Sequence, residues 1–140
     1  MKLYNCIYFL LSRAQQTAVQ EYKAQLEAYD LTPSQFTVLK CLWELGSLSP
    51  GQLAEATYIE RPAITGILDR LESRGMVRRV PDYYDRRSIN ICLTEEAAEL
   101  KDKIIAAAET ANNNVLAGFD EKERATVLNA LHEISCIPDI

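Results

Sequence analysis

Seven arginines lie within the segment from Arg61 to Asn90, and only four acidic residues accompany them there. This segment has a formal charge of +3 while the rest of the chain carries −8, so the net charge of −5 conceals a basic region. Arginine presents a planar fork of N–H donors that matches phosphate oxygens and base edges. Because the distribution of charge matters more than its sum, the pattern indicates a nucleic-acid partner. The alternative is that these arginines only cover a solvated surface.

The residue types that catalysis or metal binding requires are scattered along the chain. Cys6, Cys41, Cys92 and Cys136 form no CxxC pair, which argues against a zinc site or a disulfide framework and fits a reducing cytosol. His132 is the only histidine, and a surface or interface position is the simplest interpretation. The sequence contains no nucleophile–base pair, paired carboxylates or phosphate-cradling loop, so we expect neither an enzyme nor a cofactor nor a metal. It also lacks a convincing signal peptide and any apolar run of about 18 residues or more, which predicts a cytoplasmic protein without membrane contact.

The arginines fall on a helix and on the hairpin that follows it. Four apolar residues recur at helical spacing and predict one buried stripe: Ile64, Ile67, Leu68 and Leu71. Pro62 suits the first turn of this helix, and Gly75 suits the left-handed position just after its end, at about Arg74. Residues 76–80 and 88–93 then predict two antiparallel strands, joined by the polar segment 81–87. A helix followed by a hairpin with a basic tip is typical of a winged helix that binds DNA.

Helices are predicted on both sides of this unit. An apolar seam over residues 3–28 predicts one long helix. The start of this helix is apolar on nearly all sides, which favours a subunit interface. Thr32 and Ser49 each begin a proline-containing capping box at the start of a helix. Thr94 begins a later helix from Glu95 to about Ala117. Asp120 begins the last helix, which Pro138 closes. We therefore predict a mainly α fold with a small β-hairpin wing, in one domain over residues 1–140. Residues 31–94 would form the winged helix-turn-helix, and residues 1–30 and 95–140 the dimerisation helices.

Three motifs in a fixed order resemble the MarR (multiple antibiotic resistance regulator) family of bacterial transcription factors. They are the run from Leu68 to Arg79, with its DRLE and RG elements, then Asp85-Arg86-Arg87, then Leu93-Thr94-Glu95. The resemblance extends along nearly the whole chain. It implies a homodimer whose terminal helices intertwine and whose two winged helices bind a pseudo-palindromic operator in double-stranded DNA, usually as a repressor.

The resemblance also implies roles for individual residues. Arg87 would be the wing-tip arginine that enters the minor groove, and Asp85 would hold its guanidinium, with a bidentate pair as one possible geometry. Arg78 and Arg79 would serve phosphates, which position the protein without specifying a sequence. Arg86 is a further residue of the wing expected to bind DNA. The recognition-helix residues expected to bind DNA are Arg61, Pro62, Ala63, Thr65, Gly66 and Arg70, the first five of them near the N-terminus, where the major groove is met. The roles of two stay open: relatives often carry a long polar residue at the position of Gly66, and Arg70 could either touch phosphate or pair with Asp69 and Glu72.

Members of the family often bind small aromatic or phenolic effectors. The candidate wall residues here are Tyr8, Leu11, Ser12, Phe36 and Trp43, each of which could equally be a plain core residue. One branch of the family senses peroxide through a cysteine near the start of the first helix, but alignment places Tyr8 rather than Cys6 at that position. The competing hypotheses are a winged-helix adaptor that binds an acidic protein, and a thiol-based redox regulator that acts through Cys6. The sequence names neither the operator nor the effector.

Overall fold

A computed structural model describes residues 1–138 and shows a mainly α-helical chain with one two-stranded antiparallel hairpin. Its elements follow one another as α1 (Ile7–Leu26), α2 (Pro33–Leu45), α3 (Pro50–Thr57), α4 (Arg61–Ser73), β1 (Val77–Pro81), β2 (Ile89–Leu93), α5 (Glu95–Val115) and α6 (Glu121–Ser135). Short 3-10 turns at Leu3–Asn5 and Glu27–Tyr29 flank α1. The predicted fold class is confirmed.

Capping explains why most of the helices begin where they do. The Thr32 side chain accepts the N–H of Gln35 while the Gln35 side chain accepts the N–H of Thr32, and the pair Ser49 and Gln52 repeats this box at the start of α3. Each box satisfies two backbone N–H donors that the first turn of a helix would otherwise leave unpaired. Asp120 forms a third box at α6, and Thr94 accepts the N–H of Ala97 at α5. The predicted starts of these four helices are confirmed.

The hydrophobic core lies in the winged helix-turn-helix and extends into the helices around it. Ile64, Leu68 and Leu71 of α4 are fully buried against α2 and α3, as their spacing predicts. In the hairpin, Val77 pairs with Leu93 and Pro81 with Ile89. A bridge between Leu48 and Ile91 fastens the α2–α3 connection to β2 and fixes the hairpin on the core.

Several boundaries differ from prediction, including those of both strands, which begin one residue later than expected. The expected continuous helix over residues 3–28 is interrupted at Cys6, whose extended backbone (φ −78°, ψ 117°) separates the first 3-10 turn from α1, and its last turn is again 3-10. The helix α4 ends at Ser73 with Arg74 as its C-cap, one residue before the expected end. Gly75 follows with φ +75°, a left-handed conformation that favours glycine and turns the chain into the hairpin.

The terminal helices differ from this core. The helices α1 and α5 pack along each other, whereas α6 projects with no buried residue. Its apolar face stays exposed, and the first turns of the chain likewise expose apolar side chains: Leu3, Ile7, Tyr8 and Leu10 near the start, and Leu128, Leu131 and Ile134 on α6. Within residues 1–138, no helix is both long and apolar enough to cross a membrane.

Candidate nucleic-acid interface

The helix α4 buries one stripe and exposes the opposite face, and the predicted contact residues all lie on the exposed face. They are Arg61, Pro62, Ala63, Thr65, Gly66 and Arg70. Apart from the neighbouring backbone of the helix itself, no atom of residues 1–138 lies within 4 Å of the point where a Cβ would stand at Gly66. Packing inside the chain therefore does not require glycine there, and the position is open on the surface that the helix would present to DNA.

The guanidinium of Arg61, at the start of α4, lies against the first turn of α3. A Cβ built on Gly51 would come within 3.0 Å of its Nη1 atom. Gly51 of α3 therefore lies beneath the guanidinium of Arg61 of α4. Because Nη1 is the far end of a flexible side chain, the glycine influences where this arginine points rather than whether the helices pack.

The sequence analysis assigned Arg79 to phosphate. In the structure its side chain joins the hairpin to α4. Its Nη2 lies 2.8 Å from Oδ1 of Asp69 and its Nη1 lies 2.8 Å from Oε1 of Glu72, while Oε2 of Glu72 accepts the Arg79 backbone N–H. Partial burial alone would lower the pKa of Arg79, but the bonds to the two carboxylates outweigh it and raise the pKa above its usual value. Arg79, rather than Arg70, forms the ion pairs with Asp69 and Glu72. Its guanidinium therefore braces the wing.

The side chain of Arg74 joins the end of α4 to the turn between α1 and α2, a role that the sequence analysis missed. Its Nη1 donates to the carbonyl oxygens of Tyr29 (2.8 Å) and Asp30 (2.6 Å) and lies 3.2 Å from Oδ2 of Asp30. Asp30 has a left-handed backbone (φ +53°), so this turn is tightly bent where the arginine meets it. An aspartate in a turn and an arginine at the end of a helix were the only signals in the sequence, and neither identifies its partner.

The wing loop is organised by Asp82, which the sequence analysis also missed. Its Oδ1 accepts the backbone N–H groups of Tyr84 and Asp85, and its Oδ2 accepts Nδ2 of Asn90 from the opposite strand. The N–H of Tyr84 contributes most to lowering the pKa of Asp82 below its usual value, followed by Asn90 and Asp85. An aspartate that accepts a backbone N–H two residues on is the recognisable pattern of an Asx turn.

Asp85 and Arg87 form the expected pair at the wing tip, but with weaker geometry than a bidentate bond. The single contact joins Nε of Arg87 to Oδ1 of Asp85 at 3.4 Å, and the same oxygen accepts the Arg87 backbone N–H at 3.1 Å. The Arg87 side chain is 94% exposed and extends from the hairpin. Arg78 and Arg86 are also exposed and form no ion pair among the described residues. The rings of Tyr83 and Tyr84 meet edge to face at 5.1 Å beside them.

The five residues expected to line an effector pocket are not gathered in one cavity of the single chain. Leu11 lines a groove with Leu128 and Leu131, whereas Phe36 lines a different groove with Tyr58. Tyr8 is 79% exposed and Ser12 is half-buried. Trp43 packs against the core, and its buried Nε1 has no hydrogen-bond partner within the part of the chain that the structure describes.

The cysteines occupy separate environments. Cys6 is half-buried at the N-cap of α1, and Cys92 accepts the hydroxyl of Ser47 at 3.2 Å. Burial, with a smaller contribution from Glu44, raises the pKa of the Cys41 thiol, which makes its reactive thiolate scarcer. No three histidine, cysteine or acidic side chains of residues 1–138 are close enough to hold a metal ion.

Comparison with known proteins agrees with this geometry. The MarR family model matches residues 31–89, the helix-turn-helix and most of the hairpin. The transcriptional repressor NicR of Pseudomonas putida is 32% identical over 125 residues, which cover 89% of this chain and 79% of that protein. These relatives are transcriptional regulators and not enzymes, in agreement with the expectation from the sequence.

Solved structures share the whole architecture. The BpsR protein of Bordetella bronchiseptica, whose DNA binding is regulated by 6-hydroxynicotinic acid, superposes with a TM-score of 0.91 at 26% identity and covers 99% of both chains. A cysteine-to-serine mutant of MarR from E. coli complexed with operator DNA superposes with a TM-score of 0.82 at 25% identity, over 89% of this chain and 90% of that one.

Proposed function

Because this chain belongs to the MarR family of transcriptional regulators, we propose that it is a homodimeric, cytoplasmic bacterial repressor that a small molecule releases from a pseudo-palindromic operator. The observation that carries the proposal is the exposed arginine surface on two adjoining elements. Arg61 and Arg70 stand on the outer face of α4, and Arg86 and Arg87 extend from the wing tip. A surface of this kind releases counterions from DNA, so that its affinity should fall steeply with salt.

Each element fits a different part of the duplex. The N-terminal half of α4 presents its exposed face to base edges in the major groove, as the second helix of a helix-turn-helix does. Arg87 suits a narrow minor groove, where negative potential is concentrated. The Asp85 carboxylate restrains the Arg87 backbone and Nε while leaving the outer guanidinium nitrogens free for DNA. Arg79 supports this arrangement by bracing the wing against α4, while Arg78 is free to reach phosphate.

The exposed apolar surfaces at the two ends of the chain support the homodimer. The helix α6 buries none of its residues, yet Leu128, Leu131 and Ile134 share one side of it with spacings of three residues. A groove between Leu11 of α1 and α6 continues that side. A second copy of the chain, intertwined through residues 1–30 and 95–140, would cover both surfaces and hold two α4 helices apart by one helical turn of DNA.

The test starts from a random duplex library, because the operator is unknown. Rounds of selection with the purified protein should enrich a pseudo-palindrome, and fluorescence anisotropy should then give a preference over scrambled duplex. Arg87→Ala should weaken binding to the selected duplex by about 1–3 kcal/mol. Lys40→Ala is the matched control, since Lys40 lies on α2, outside α4, the wing and the proposed dimerisation helices, where it pairs with Glu44, and it should leave binding unchanged.

The same experiment separates the repressor from a winged-helix adaptor for an acidic protein. An adaptor would enrich no duplex, and Arg87→Ala would behave like Lys40→Ala. Either of those results contradicts the proposal. A redox regulator is separated by treating the protein–DNA complex with peroxide, where equal release from the wild type and from Cys6→Ser removes Cys6 from consideration.

A further inference from the structure

We propose that Arg74 is a positioning residue that sets the distance between the two half-sites of the operator. It does so by anchoring the C-terminal end of the recognition helix α4 to the turn at the end of α1, one of the proposed dimerisation helices. The inference rests on the proposed function and deepens it, because it names a contact through which each chain fixes the geometry of the dimer on DNA. Arg74 lies at the opposite end of α4 from the residues expected to meet base edges.

One nitrogen atom makes the whole anchor. Nη1 of Arg74 donates to the carbonyl oxygens of Tyr29 and Asp30 and lies 3.2 Å from Oδ2 of Asp30. The side chain of Asp30 is 90% exposed, so its carboxylate should contribute little, as exposed ion pairs do. The two backbone carbonyls therefore carry most of the contact. Because these oxygens belong to the backbone, the contact fixes the path of the chain rather than the position of one side chain.

The same end of α4 is also attached to the start of α5. The hydroxyl of Thr94, the N-cap of α5, donates to the carbonyl oxygen of Gly75 at 2.6 Å. The Thr94 N–H donates to the carbonyl oxygen of Met76, a fully buried residue, at 3.2 Å. Residues 74–76 thus lie between the end of α1 and the start of α5, two helices that pack along each other. Arg74 and Thr94 together hold the end of α4 against the helices that would form the dimer.

The length of α4 turns a small change at this anchor into a large displacement at the DNA. Its 13 residues span about 20 Å, at about 1.5 Å per residue. A tilt of about 10° at Arg74 would move the N-terminus of α4 by about 3 Å, close to the rise of about 3.4 Å per base pair. In a dimer this displacement occurs in both copies. A firm anchor therefore lets the dimer reject half-sites that are one base pair too close together or too far apart.

The first test uses residual dipolar couplings of the free, ¹⁵N-labelled protein, so that it does not depend on any operator. In the wild type, one alignment tensor should fit the backbone N–H couplings of α1, α4 and α5 at the angles between these helices in the structure. Arg74→Met keeps the apolar stem and removes the donors, and the α4 couplings should then depart from that fit. Arg74→Lys returns a charged nitrogen with three N–H donors and should restore much of it. Circular dichroism checks that both variants are folded.

The second test measures the preferred half-site spacing by fluorescence anisotropy. The selected duplex is compared with duplexes that have one base pair inserted or removed at the centre. The wild type should lose about 10²-fold or more in affinity on either change, because half-sites that cannot be bound together lose the gain from linkage. Arg74→Met should reduce this loss to about tenfold or less, since a movable α4 can still reach both half-sites. A general loss of stability would weaken all three duplexes without changing their ratio.

Two further variants separate positioning from other roles. Asp30→Asn keeps both carbonyl oxygens and a residue type that tolerates a left-handed backbone, so it should discriminate spacing as the wild type does. Arg70→Met removes an exposed charge from the same helix and should weaken all three duplexes equally. Wild-type couplings in Arg74→Met, or a spacing preference as sharp as that of the wild type, would overturn the inference. Failure to select an operator would count against the proposed function alone, since the couplings still show whether Arg74 holds α4.

Discussion

The winged helix buries its apolar side chains within the chain, whereas the terminal helices leave many of theirs exposed. In the winged helix, Leu68, Leu71 and Ile91 are fully buried, and Arg79 ties the hairpin to the helix beneath it. In α6, by contrast, Leu131 and Ile134 remain 42% and 52% exposed. A single chain therefore completes the part that would contact DNA, whereas its ends leave apolar surface exposed, which the proposed second chain would cover.

The largest expected effect comes from charging the apolar side of α6. The double variant Leu131→Glu/Ile134→Glu should be monomeric, because each glutamate would be buried without a partner at the interface. It should lose about 10²–10⁴-fold in affinity for the selected duplex, the gain that linking two binding modules commonly provides. Sedimentation and anisotropy measure the two effects. The control is Thr126→Glu/Asn129→Glu on the same helix, and a dimeric Leu131→Glu/Ile134→Glu protein would contradict the proposed interface.

A second pair of variants should distinguish the two regions by their effect on stability. Leu68→Ala should lower the free energy of unfolding by about 2–5 kcal/mol, because it leaves a cavity in a fully packed site. Leu128→Ala, made in the monomeric background, should change it by less than about 0.5 kcal/mol, as an exposed substitution does. Urea unfolding gives both values. Equal losses in the two variants would mean that α6 is packed within its own chain.

The brace between the wing and α4 should have a smaller effect on stability. Arg79→Met removes two ion pairs and should cost about 1 kcal/mol in urea unfolding, because partly exposed ion pairs contribute little individually. Its clearer effect should be a more mobile hairpin, seen as lower order parameters in β1. Lys40→Met breaks the more exposed pair with Glu44 and is the matched control. A hairpin as rigid as in the wild type would show that Arg79 has no bracing role.

The smallest effect concerns pH. The pKa of Asp82 is lowered in the folded wing, so its stabilising contribution is complete above its usual value of 3.8 and is lost as the pH falls through the lowered value. Amide signals of Tyr84 and the Asn90 side chain should therefore move in acid below that value. Asp82→Asn keeps an acceptor for the backbone N–H groups and should abolish this transition. A transition that persists in Asp82→Asn would assign it to another group.

Most of the fold was predictable because its signals are local. Capping boxes at Thr32, Ser49 and Asp120, the apolar stripe of α4 and the left-handed Gly75 each depend on residues a few positions apart. The interruption at Cys6 was missed, since neither proline nor glycine marks it and the apolar spacing continues across it.

The candidate site was predictable only in part. The exposed face of α4 and the pair at the wing tip followed from spacing and motif. The partners of Arg74 and Arg79 were not predictable, because they lie 44 and 10 residues away along the chain and are chosen by tertiary packing. The assignment of Arg79 to phosphate was made without knowledge of these carboxylates.

The central claim is that two copies of this chain read one duplex together, each with a winged helix that is complete in itself. Native mass spectrometry of the wild-type protein on the selected duplex tests it most directly, because it counts chains per DNA. The account predicts two chains per duplex at every protein concentration that gives a complex, with the Leu131→Glu/Ile134→Glu variant bound as single chains and only weakly. A wild-type complex with one chain, or a monomeric variant that binds as tightly as the wild type, would contradict it.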